Sequence, residues 1–282
     1  MARDKKIEVC ALNIAANPHP TGVYERLLNA IAGVAVNVRG SDFAKITKPV
    51  HDESNGVLLG RILVWADIDL KGRWLDLETG EQLSPEVQSK IQIPANAKPN
   101  YRTFNYIFHL RSHRLYYESV NEFGETLGPT VARRLFGDLL IDSRFTPPDT
   151  EISVTVIPTD GAVEEILKLP GLRILEVSLQ LPNDDEVSPE ERRRIYDRLR
   201  SIHAKKLEEK VVKAAGAARL TPDDELKNLA NLAAENGAVR GQGRVNDVTT
   251  NLSTTDAPRR EKVSMEAGND FLSRVMATIG FF

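Results

Sequence analysis

At 282 residues, with 41% apolar and 27% charged side chains, the chain has enough material for one or two packed domains. Its single cysteine, Cys10, excludes an intrachain disulfide and a four-thiolate zinc site, and fits the reducing cytoplasm. No apolar run approaches the roughly 20 residues of a membrane span, Met1–Lys6 leads into no signal-peptide pattern, and a net charge of −3 advertises no polyanion partner, so nucleic-acid binding needs local clusters of cations.

Taken in order, Ile7–Ile14 reads as a first strand, broken by Asn17-Pro18-His19-Pro20, and Tyr24–Ile31 as a short amphipathic helix. Gly33–Val38 is a second strand, and Lys45–Asn55 a polar loop. Gly56–Trp65 is strongly strand-like; Lys71-Gly72-Arg73 turns it back into Trp74–Leu77. An irregular connector over Pro85–Pro99 precedes a hairpin of Arg102–Leu110 with Leu115–Val120. Gly128-Pro129-Thr130 opens a helix that buries Val131, Leu135, Phe136, Leu139 and Leu140. Glu151–Ile157, Asp160–Leu169 and Leu172–Leu181 then form a strand–helix–strand unit.

Pro182-Asn183-Asp184-Asp185 marks a boundary. Beyond it the spacing of Ile195, Leu199, Ile202, Leu207, Val211 and Ala215 predicts one long helix over Ser188–Ala215, capped by Ser188 and Pro189. From Arg192 to Lys213 it carries nine Lys or Arg against three acids. Thr221-Pro222-Asp223-Asp224 caps a second helix that ends at Asn236-Gly237. Ala238–Val245 and Val248–Ser253 make a ribbon about Asn246-Asp247, and Arg259–Ile279 reads as a closing helix. The expected architecture is α+β: a sheet-rich part with short helices over residues 1–183, then a helical part with a β-ribbon over 184–282.

Motifs for catalysis are absent. The glycines Gly237, Gly241 and Gly243 are followed by no Gly-Lys-Ser/Thr, which argues against a nucleotide loop. His109 and His113 lie four apart on a hairpin rather than a helix, and read as surface histidines, not metal ligands. Glu176-Val177-Ser178 lacks the lysine of a restriction-type nuclease, and no Gly-x-Ser-x-Gly elbow occurs. Asp67 and Asp69 could ligate magnesium, which leaves a metal-dependent nucleic-acid enzyme as one alternative; an adaptor without nucleic-acid affinity is another. The reading preferred on the residues has no cofactor, no metal and no catalytic group.

Several stretches carry a resemblance: Val9–Ile14 before the Pro-His-Pro loop, Gly128-Pro129-Thr130 before its helix, the strand ending Val156-Ile157-Pro158, the helix with Val163, Ile166 and Leu167, the strand Arg173–Pro182, and Glu235-Asn236-Gly237. In these the chain resembles RexA-like phage-exclusion proteins and a related family of uncharacterised bacterial and prophage proteins. The resemblance implies a cytoplasmic homodimer that binds double-stranded DNA without strong sequence preference and acts in phage exclusion. It names no catalytic residue, and any phage-derived or membrane-protein partner stays unidentified. The charge pattern supplies the expected phosphate contacts: Arg192, Arg193, Arg194, Arg198, Arg200, Lys205, Lys206, Arg240 and Arg244. The apolar tail Ile279-Gly280-Phe281-Phe282 is expected either in a dimer interface or on its own domain.

Overall fold

Thirteen consecutive residues, Lys5–Asn17, form the strand β1 on which the larger of two sheets is built. The structure, a computed structural model, describes residues 5–181, 190–246, 248–265 and 271–279. After β1 come α1 (Val23–Ile31), β2 (Val36–Arg39), β3 (Asp42–Ile46), β4 (Val50–Asp52), β5 (Val57–Ala66) and α2 (Pro85–Gln88). Then follow β6 (Arg102–His109), β7 (Arg114–Val120), α3 (Pro129–Leu140), β8 (Glu151–Val156), α4 (Ala162–Leu167) and β9 (Ile174–Gln180). The rest is α5 (Glu190–Ser201), β10 (Lys206–Val212), α6 (Asp224–Glu235), β11 (Gly237–Val245), β12 (Val248–Ser253), β13 (Arg260–Met265) and α7 (Phe271–Ile279).

The first sheet has nine strands, ordered β13-β1-β7-β6-β5-β3-β2, with β4 on β5 and β8 on β1. It curls into a half-barrel. One edge of β1 pairs with β7; the other is shared by β13, opposite Lys5–Cys10, and β8, opposite Leu12–Asn17. Successive side chains of a strand point to opposite faces. Cys10, Leu12, Ile14 and Ala16 therefore enter a core with α1 and α3, while Ile7, Val9 and Ala11 enter one with Val275 of α7. Both faces are buried, which is why apolar residues fill successive positions from Val9 to Leu12 and from Ile14 to Ala16 instead of alternating with polar ones.

The second sheet, β10-β9-β11-β12, is antiparallel throughout. Its inner face supplies Leu175, Val177, Leu179 and Val239, which pack with Val163 and Ile166 of α4, Tyr196 and Leu199 of α5, and Leu229, Ala230 and Ala233 of α6. The glycines of β11 belong to this packing: a Cβ on Gly241 would lie 2.5 Å from Ile166 Cγ2. Gly241 thereby lets α4 approach the sheet this closely.

The two sheets meet at a buried polar seam. Asn13 Nδ2 of β1 donates to Asn236 Oδ1 at 2.8 Å. No helix among the described residues is long and apolar enough to cross a membrane.

The expected α+β layout with a helical second part is overturned: strand makes up 37% against 24% helix, and no helical domain is present among the described residues. Two elements account for this. The long helix stops at Ser201, His203 takes a left-handed φ of 54°, and Lys206–Val212 becomes an edge strand on β9. Leu207 and Val211, four apart, fit one face of a helix or of a strand equally, and the free edge of β9 decides. The closing helix is likewise divided. Its first part is β13 on β1, and only Phe271–Ile279 is helical. β3 and β4 fall in and beside the stretch expected as a polar loop, and Trp74–Leu77 contributes one isolated bridge, Leu75 to Gln82. The expected boundary residues, the Ser188 cap, the ribbon residue Asp247 and the tail after Ile279 lie outside the described residues. The second sheet takes β9 from before that boundary and β10, β11 and β12 from after it.

Candidate nucleic-acid interface

The fold divides the described members of the nine expected phosphate contacts between the helical layer and the open face of the second sheet. α5 lies with the helical layer, where Tyr196 and Leu199 anchor it. Arg194 and Arg198, four residues apart, are exposed on this helix, and among the described residues neither makes an ion pair. Arg200 is half-buried, with Asp197 at 3.8 Å. Arg192 and Arg193 belong to the same helix; their side chains lie outside the described residues. Lys205 is exposed in the turn that leaves it.

The remaining three stand on the opposite, open face of the sheet. Val239, Gly241 and Gly243 of β11 are buried inward, so alternation turns Arg240, Gln242 and Arg244 outward. Pairing places Glu176 beside Arg240 and Lys210, Ser178 beside Glu208, and Gln180 beside Lys206. On the far side Ser253, Asn251 and Thr249 stand opposite Arg240, Gln242 and Arg244. Four cations, Lys206, Lys210, Arg240 and Arg244, thus share a face with two carboxylates. Lys210 Nζ lies 2.7 Å from Glu176, and Lys206 Nζ 2.5 Å from Glu208. The Lys210 ammonium, with Arg240 further off, holds the Glu176 carboxyl below the ordinary carboxylate range. Arg240 and Arg244 are exposed and make no ion pair among the described residues. Lys210 joins this face although it was not among the expected contacts. Its signal is the alternation of Lys206, Glu208 and Lys210, visible only when the segment is read with a period of two.

Other polar places fit phosphate less well. A cleft of about 720 Å3 between the sheets contains Arg114 and Arg259, but also Asp160, Glu164 and Glu235. Arg259 is already engaged, 3.7 Å from Asp160 and 3.3 Å from Glu261. For the metal-dependent alternative, Asp67 forms an ion pair with Lys98. Asp69 accepts from the Lys71 backbone N–H at 2.9 Å and closes its own turn. Among the described residues no three or more His, Cys, Asp or Glu converge on one point.

No curated protein matches the chain. The model of one family, described as a domain of unknown function (DUF4747), matches residues 5–278, and the chain belongs to that family.

Proposed function

We propose that this chain binds double-stranded DNA through its phosphates, without strong base preference, over the open face of the second sheet. The observation that supports this reading most is the pair Arg240 and Arg244. Both are exposed on one strand, free of ion pairs among the described residues, and bordered by Gln242, Asn251, Thr249 and Ser253. Residues four apart on a strand stand about 13 Å apart, roughly four steps of the 3.4 Å rise along one DNA strand. Neutral amides and hydroxyls also donate to phosphate oxygens, which position a duplex without reading it. A face four strands wide, at about 4.8 Å per strand, is too broad for a major groove of about 12 Å. Contact therefore stays on the backbone. Arg194 and Arg198 of α5 lie on the helical side of the sheet and, in this reading, serve a second DNA segment. A homodimer and a role in phage exclusion belong to the same proposal and rest on the RexA-like resemblance; a cytoplasmic setting rests also on the lone Cys10.

The test is fluorescence anisotropy on a random-sequence duplex over a range of salt concentrations. Affinity should fall with salt with a log–log slope near −0.9 per phosphate neutralised. Arg240→Glu with Arg244→Glu should weaken binding at low salt tenfold or more and flatten that slope by about two such steps. Loss of binding with Arg194→Glu and Arg198→Glu alone would move the site to α5. No binding at low salt would sink the DNA reading.

A further inference from the structure

His19 and His113 are 94 positions apart in sequence, yet their Nε2 atoms lie 3.1 Å from each other. The fold holds both rings firmly. His113 sits on the β6–β7 hairpin, 2% exposed, with a left-handed φ of 53°. Its carbonyl accepts from Ile14 N–H at 3.1 Å, which ties the hairpin to β1. His19 lies between Pro18 and Pro20 in the loop from β1 to α1. The Tyr24 ring stacks on His113 at 4.8 Å and tilts against His19 at 5.4 Å, with Phe108 a further 4.9 Å away.

Ring geometry separates two accounts of this pair. A straight N–H···N hydrogen bond along both ring axes would keep the centroids roughly 5.4 Å apart. The observed separation is 4.6 Å, with the rings at 74°. Two imidazoles sharing one ion at about 2.0–2.1 Å, with nitrogens this close, subtend about 100° at the ion and place their centroids roughly 4.9 Å apart. The observed separation lies nearer the second value, and the two ring axes do not point straight at each other. A non-glycine residue held at positive φ is the kind of local strain that a fold keeps where a side chain must be aimed.

We infer that His19 and His113 form a binding site for a divalent first-row transition ion, zinc foremost, through their two Nε2 atoms. Imidazole suits zinc, nickel and copper. His19 is half-buried, so water can complete the coordination. Two protein ligands give weaker binding than the four of a closed structural zinc site. The site is independent of the proposed DNA surface and shares no residue with it.

The experiment uses the full chain, stripped with chelator and dialysed against excess Zn2+ or Co2+, with metal counted by plasma emission. The expected result is one ion per chain and a raised melting temperature, because an ion bound only by the native state stabilises it. Cobalt should add visible absorption bands. His19→Gln, a loop change expected to leave the fold intact, should lower bound metal at least tenfold at the same free concentration and remove those bands. His113→Gln should do the same. Wild-type protein that holds no more metal than His19→Gln, whether both bind or neither does, would overturn the proposal.

Discussion

Asn13 and Asn236 join the two sheets through a buried hydrogen bond of 2.8 Å between residues 223 positions apart. Asn13 is 6% exposed and so is Asn236. Removing one partner strands the other: Asn236→Ala leaves Asn13 Nδ2 with only the Glu235 carbonyl at 3.4 Å. Such a loss costs roughly 1–3 kcal/mol. Urea unfolding of Asn236→Ala, Asn13→Ala and the double variant should give a double variant less destabilised than the two singles combined, since the second change removes a group already orphaned. Simple additivity would show that the seam carries no coupling.

Glu118 sets a pH dependence of opposite sign to that of a salt-bridged acid. Burial raises its carboxyl above the ordinary glutamate range, against hydrogen bonds from Asn105 that lower it. Asn105 N–H donates to Oε2 at 2.6 Å and its amide at 3.1 Å. A raised acid binds its proton more tightly when folded. Its contribution is full below the unfolded value, about 4.3 for glutamate, and is lost as pH rises through the folded value. Glu118→Gln keeps an oxygen for Asn105 and cannot ionise. The variant should match wild type near pH 4 and exceed it in melting temperature at pH 8. Equal melting temperatures at both values would refute this account.

Gly241 tests the contact between α4 and the second sheet. Its missing Cβ would meet Ile166 Cγ2 at 2.5 Å and Leu172 Cδ1 at 3.4 Å. Gly241→Ala should therefore destabilise by about 1–3 kcal/mol through overpacking, although alanine suits most strands better than glycine. Adding Ile166→Ala removes the clashing methyl, so the pair should be less destabilised than the summed singles. Chemical denaturation of the three variants decides.

Elements with local punctuation were legible from sequence. The second helix after the boundary begins inside its expected capping motif, though the cap is Asp223, whose side chain accepts from Leu226 N–H at 2.8 Å, and not Thr221 before the proline. Pro129 opens α3 as expected, and the hairpin of β6 and β7 follows its apolar runs. What failed was decided by distant partners. β10 exists because β9 offers an edge; β13 exists because β1 does. Neither segment has alternation clear enough to exclude a helix: Arg260–Met265 has Val263 as its only β-branched residue. The basic cluster was visible as a count, but one change from helix to strand divided its members between two faces. In the sequence His113 stands four residues from His109 and reads as a surface histidine, whereas the fold buries it against His19. Nothing local to either histidine announces that meeting.

The shared edge of β1 fixes when the protein can finish folding. Lys5–Cys10 leaves the ribosome some 250 residues before its partner Arg260–Met265, as the pair Cys10 and Arg260 shows. Until the ribosome has released those later residues, the N–H and C=O groups along this edge face outward beside Ile7 and Val9. An unpaired apolar edge is a template for other chains. Nascent or shortened chains that stop before residue 260 are thus expected to depend on chaperones and to collect in the insoluble fraction, even though the strands from β2 to β7 are complete. Supplying the β13 segment in trans, as a peptide, should return part of such a chain to solution.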